Sequence, residues 1–95
     1  MANVKQLMSM EGRVAVVTGG ATGIGLQMAT GLAEAGANLV ICSRKLENCV
    51  EAAGKLEQLG VKVLAVGCDV TKADQVEAMK DATLKKFGRV DALFN

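Results

Sequence analysis

Residues 14–25, VAVVTGGATGIG, decide how the rest of this 95-residue chain is read. Val14 to Thr18 completes an apolar, β-branched run that begins at Arg13, the composition of a strand buried on both faces. Gly19 and Gly20 follow, and Gly23-Ile24-Gly25 then opens a stretch with helical periodicity. A strand, a glycine-rich turn and a helix start bring several backbone N–H groups and the positive end of a helix dipole to one spot. Such a spot stabilises an anion, most often a nucleotide pyrophosphate. Glycine suits the turn because the backbone needs φ > 0 there and a phosphate can approach without meeting a Cβ. The spacing is G-x-x-x-G-x-G rather than G-x-G-x-x-G. Taken alone, a glycine turn is a weak signal, and an unliganded βα connection is the alternative reading.

The flanking pattern separates the two readings. A helix is expected over 23–35, with Ile24, Met28, Leu32 and Ala35 at helical spacing and Gly36 as its terminator. Gly31 inside it weakens the helix by about 1 kcal/mol relative to alanine, which a close helix–strand contact would explain. Residues 38–43, NLVICS, form a second strand. A second helix covers 45–59, with Leu46, Cys49, Ala53 and Leu56 on one face and Gly60 at its end. Residues 61–68, VKVLAVGC, form the third strand. Thr71, with Asp74 three residues on, resembles a capping box. The helix behind it carries Val76, Met79, Thr83, Leu84 and Phe87 on its inner stripe and stops at Gly88; residues 90–95, VDALFN, form a fourth strand.

Right-handed crossovers between parallel strands give the order 3-2-1-4, with the first two helices on one face and the third on the other. This is an α/β, Rossmann-type doubly wound parallel sheet, cut after its fourth strand. Residues 1–12 form an N-terminal arm, and residues 13–95 form part of a dinucleotide-binding domain. Strand order reverses between strands 1 and 4, so a crevice opens at their carboxyl ends with the glycine turn at its mouth. Motif and topology agree on a nucleotide site. The bare apolar edge of strand 4, and a sheet face covered by one helix, are expected to seek cover.

Composition removes other classes. Hydrophobic residues make up 51% of the chain, a packing rather than a disordered composition. Net charge is +1 with no basic stripe, and aromatics are 2%, so neither nucleic acid nor an anionic membrane is an expected partner. Cys42, Cys49 and Cys68 have no C-x-x-C spacing and the chain has no histidine, so no metal site is expected. They read as buried structural thiols in a reducing, cytoplasmic setting. Met1 to Met10 has no sustained apolar core and reads as neither signal peptide nor anchor.

Thr18-Gly19-x-x-x-Gly23-Ile24-Gly25 after strand 1, Asp69-Val70 after strand 3 and Asn95 ending strand 4 are the features in which the chain resembles the short-chain dehydrogenase/reductase family. Residues 37–47, ANLVICSRKLE, are most similar to gluconate 5-dehydrogenase-like and 3-oxoacyl-acyl-carrier-protein reductase-like members. The resemblance implies that Gly19, Gly23 and Gly25 shape the turn and that the Ile24 N–H faces the pyrophosphate. It places the Thr22 hydroxyl near phosphate or ribose oxygens, Asp69 on the adenine amino group, Val70 against the adenine and Asn95 beside the adenosine ribose. It also implies an oxidoreductase that moves hydride between a nicotinamide and a carbonyl or secondary alcohol, homo-oligomeric at full length.

The family's proton chemistry uses Tyr-x-x-x-Lys, a serine and a further asparagine. This sequence contains no tyrosine, so no residue in it is assigned a catalytic role. The expectation is the N-terminal, cofactor-binding half of a longer enzyme; a non-catalytic nucleotide-binding module or inactive truncated product is the alternative. A phosphoacceptor receiver-like domain would need an acidic cluster at the strand ends, where only Asp69 stands.

Charge selects the cofactor. A carboxylate ending strand 2 would bind a ribose 2′-hydroxyl and repel a 2′-phosphate. Here the sequence reads Ser43-Arg44-Lys45, with no acid before Glu47. A guanidinium makes paired, charge-assisted hydrogen bonds to phosphate, and a serine adds another. The expectation is NADP over NAD.

Overall fold

The β-branched runs become four parallel strands in a computed structural model that describes residues 9–94: β1 (Val14–Thr18), β2 (Asn38–Ser43), β3 (Val63–Gly67) and β4 (Ala92–Phe94). Three helices join them: α1 (Gly23–Glu34), α2 (Leu46–Glu57) and α3 (Ala73–Phe87). The sheet order is β3-β2-β1-β4, as right-handed crossovers require. In register, Val16 lies between Val40 and Leu93, and Val40 is paired in turn with Leu64. Asn95 and the first eight residues of the arm lie outside the described residues.

Alternation along the strands splits the core in two. Ala15, Val17, Leu39 and Ile41 pack with Ala29 and Ala33 of α1 and with Cys49, Ala52, Ala53 and Leu56 of α2. Val14, Val16, Val40 and Cys42 face the other way, with Cys68 and with Met79 of α3. Both faces of β1 and β2 are therefore buried, which explains why their sequences show no polar alternation. No helix among the described residues is long and apolar enough to cross a membrane.

Several local expectations are corrected. β3 starts at Val63 and β4 at Ala92, each two residues later than the apolar runs suggested. The inward face of α1 is Ala29 and Ala33, flanked by the partly buried Leu26 and Leu32, whereas Ile24 is 80% exposed and Met28 is also exposed. Val17 and Ile41 fill the space above the sheet, so α1 approaches with its smallest residues. Leu46 and Leu84 are likewise exposed. Thr71 and Asp74 form no capping box: Lys72 is the N-cap of α3 and makes no side-chain cap bond.

The helix ends follow their glycines. Gly36, at φ +100°, closes α1 with Gly36 N–H to Ala33 O and Ala37 N–H to Leu32 O, a Schellman arrangement. The close contact invoked for Gly31 is absent, since a Cβ there meets nothing within 4 Å, and the same holds for Gly54 in α2. Gly31→Ala and Gly54→Ala are therefore each expected to stabilise the fold by about 0.5–1 kcal/mol, read as a higher denaturant midpoint.

Asp91 ties β4 to the start of β1. Its Oδ2 accepts the Val14 N–H at 2.8 Å and its Oδ1 accepts Arg89 Nη2 at 2.6 Å. The Arg89 hydrogen bond first, and the Val14 N–H second, hold this carboxyl below its usual range. A carboxyl lowered on folding stabilises the native state above its unfolded pKa, and that contribution disappears as pH falls through the folded value. Asp91→Asn should therefore melt below wild type at neutral pH, with the gap narrowing as pH falls below about 4.

Candidate nucleotide site

The β1–α1 turn is held from both sides. Thr18 Oγ1 donates to Phe94 O at 3.2 Å, and Gly19 N–H donates to Cys42 O at 2.7 Å. The Gly19 amide is therefore engaged by the sheet and is not among the turn's N–H groups open to a ligand. Gly19 and Gly23 have φ of +69° and +58°, and a Cβ on either meets nothing within 4 Å. Their conformations favour glycine and their open side is free for approach. Gly25 is different: a Cβ there would overlap the Gly19 carbonyl oxygen. Gly20, which the motif reading passed over, is also crowded, though less so, with Ile41 Cγ2 at 2.9 Å from its would-be Cβ.

Thr22 is the N-cap of α1, in extended backbone, and its hydroxyl makes no cap bond. The first helical acceptor is Thr22 O, bonded by Leu26 N–H. The first-turn amides of Gly23, Ile24 and Gly25 lie ahead of that bond and have no intrahelical acceptor. No acid occupies this turn.

At the end of β2, Arg44 and Lys45 are exposed. The ion pairs among the described residues are Lys55–Glu51, Lys80–Glu77 and Arg89–Asp91, so neither of these two cations is paired there. Ser43 is engaged by its own turn: Oγ donates to Lys45 O at 3.1 Å and lies 3.2 Å from Cys49 Sγ. A cleft of about 310 Å³ brings together Gly19, Ala21, Thr22, Ser43, Arg44, Lys45 and Asn48.

A second cleft, of about 480 Å³, shares Gly19, Ser43 and Arg44 with the first and adds Asp69, Val70 and Thr71. Asp69 Oδ1 accepts the Thr71 hydroxyl at 2.7 Å and the Thr71 N–H at 3.0 Å. These two bonds, with Arg44 nearby as a lesser cause, hold the carboxyl below its usual range. Asp69 N–H donates to Gln75 Oε1 at 2.8 Å, fastening the loop to α3. Val70 is exposed. Cys42 and Cys68 are buried free thiols on the cleft wall. Burial pushes the Cys42 thiol up to about 11, so it stays protonated.

The structure thus gathers Gly19, Thr22, Ser43, Arg44, Lys45, Asp69 and Val70 along adjoining clefts at the carboxyl ends of β1, β2 and β3. Gly23 lines a neighbouring cleft beside Thr22, while Asn95 is outside the described residues. Sequence reasoning missed Asn48, Thr71 and Gln75. Only Thr71 left a signal, the Asp-x-Thr spacing of a side-chain turn.

Comparison with known proteins agrees with this geometry. The short chain dehydrogenase family model matches residues 13–95. Tropinone reductase-like 3 of Erythroxylum coca is 43% identical over 83 residues, which are 87% of this chain and 32% of that protein. L-Sorbose reductase from Gluconobacter frateurii, solved with NADPH and L-sorbose, has a TM-score of 0.87 at 40% identity, covering 90% of this chain and 33% of that one. NAD+-bound xylitol dehydrogenase has a TM-score of 0.84 at 32% identity, covering 87% of this chain and 32% of that one. The chain spans about a third of the length of these proteins.

Proposed function

This chain belongs to the short-chain dehydrogenase family, and on that premise we propose that it binds NADP(H) rather than NAD(H) along the carboxyl ends of β1, β2 and β3. The solved relatives include both an NADPH and an NAD+ complex, so the choice rests on this chain's own residues. The observation that carries it is Arg44 and Lys45 at the end of β2, both exposed and in no ion pair among the described residues. Two cations at the positive end of α2 oppose its dipole unless an anion joins them.

The residues fit such a cofactor. Gly19 and Gly23 keep Cβ atoms out of the open side of the turn, and the Ile24 N–H, with its first-turn neighbours, would hold the diphosphate. The Thr22 hydroxyl, uncommitted to the cap, would donate to a phosphate or ribose oxygen. Asp69 keeps Oδ1 on Thr71, leaving its other oxygen for the adenine amino group, with Val70 as an apolar wall. Ser43 shapes the β2–α2 turn beside Arg44. Asn95 is assigned to the ribose by family resemblance.

When bound, the nicotinamide supplies or accepts hydride. Within a longer polypeptide the function is that of a cytoplasmic, homo-oligomeric oxidoreductase acting on a carbonyl or secondary alcohol. This chain's residues bind and orient the cofactor, and proton transfer is assigned to none of them. The lack of tyrosine favours one further reading, a nucleotide-binding module without catalysis, which would bind the cofactor and turn over no carbonyl. Titration followed by nicotinamide fluorescence tests the proposal: NADPH should bind about tenfold or more tighter than NADH, a preference of about 1.4 kcal/mol. Equal affinities, or a preference for NADH, would overturn it.

A further inference from the structure

We propose that Asn48 is a further specificity residue, whose side-chain amide donates to the ribose 2′-phosphate alongside Arg44. The inference rests on the NADP reading above and adds to it a ligand that the β2 end does not contain. Ser43 was the expected neutral donor, but its hydroxyl donates to the Lys45 carbonyl and its Oγ also lies 3.2 Å from Cys49 Sγ. Donation to phosphate would require breaking that turn bond. Asn48 stands one turn into the same cleft, facing Arg44, Lys45 and Thr22. It is exposed, and its side-chain amide has no hydrogen-bond partner among the described residues.

Its place between two clefts is what makes the side chain type matter. Asn48 also borders the neighbouring cleft that contains Thr22, Glu51 and Lys55. There Glu51 lies 3.9 Å from Lys55, so that acid is matched by a cation on its own helix. A carboxylate at position 48 would face Arg44 and Lys45 directly, neutralise them and repel a phosphate. An asparagine adds a donor while leaving both positive charges available.

The test is titration of wild type, Asn48→Ala, Asn48→Asp and Arg44→Ala with NADPH and with NADH, using the protein at its natural full length. Loss of one hydrogen bond to the charged phosphate predicts that Asn48→Ala weakens NADPH about 10-fold or more while NADH changes by less than about twofold. Like-charge repulsion predicts a loss of more than about 30-fold for NADPH in Asn48→Asp, again with NADH little affected. Because an acid in the first turn of a helix suits the dipole, the cofactor-free melting temperature of Asn48→Asp should hold or rise, which separates a lost contact from a lost fold. Asn48 variants that weaken neither nucleotide, or both equally, overturn the inference. If Arg44→Ala discriminates between the nucleotides and the Asn48 variants do not, this inference alone fails; if Arg44→Ala does not discriminate either, the NADP reading fails with it.

Discussion

Alanine at Gly25 is expected to remove dinucleotide binding and to destabilise the fold by about 3 kcal/mol, the upper end of overpacking penalties. The added methyl would overlap the Gly19 carbonyl oxygen, with Gly20 Cα only 3.2 Å away. Those are backbone atoms, fixed in turn by the Gly19 N–H bond to Cys42 O, so no flexible side chain can yield. The turn must move away from the start of α1. The first-turn amides proposed to hold a diphosphate then diverge, and losing two charge-assisted bonds should lower affinity about 100-fold or more. Gly23→Ala is the control: its φ of +58° carries strain, but its Cβ would meet nothing within 4 Å. That variant should lose only about 1–2 kcal/mol. Equal denaturation midpoints for the two variants would show that the Gly19–Gly25 contact is not what organises the turn.

Arg44→Ala should cut NADPH affinity by about 10- to 100-fold and leave NADH affinity nearly unchanged, as expected for removing a charge-assisted phosphate contact. Arg44 lines both clefts and is exposed, so its removal leaves the packing intact. Arg44→Lys keeps the charge but loses the planar fork, and should fall between wild type and alanine. If the NADP proposal holds, a preference for NADPH over NADH should also shrink as salt is raised, because the proposed contact lies near solvent. If fluorescence titration shows both nucleotides losing affinity equally in Arg44→Ala, the residue acts on the shared part of the cofactor and the 2′-phosphate assignment is wrong.

Much of the architecture was legible because its signals are local. Val14–Thr18 and Asn38–Ser43 are apolar at every core position, and nothing but a strand buried on both faces accounts for that. Handedness of the crossovers then leaves one strand order, and the sheet has it. The inner face of α1 was less legible. Ile24 and Met28 match a helical stripe, yet both are exposed while Ala29 and Ala33 are buried. Periodicity ranks residues by hydrophobicity, whereas a helix crowded against Val17 and Ile41 selects small ones. The supposed contact at Gly31 and the capping box at Thr71 failed for a related reason, since both required knowing what lies across a gap.

The amino-acid sequence by itself determined the parallel order 3-2-1-4, the glycine turn at the strand ends and the cationic end of β2, because hydrophobic period, backbone handedness and fixed charge are properties of short segments. Tertiary structure alone decided which groups in that turn remain available. It took the Gly19 amide for Cys42 O and the Ser43 hydroxyl for Lys45 O, and it brought Asn48 into the cleft with Arg44. Hydrogen bonds saturate, and which acceptor reaches a donor first depends on distances that exist only once the chain has closed on itself.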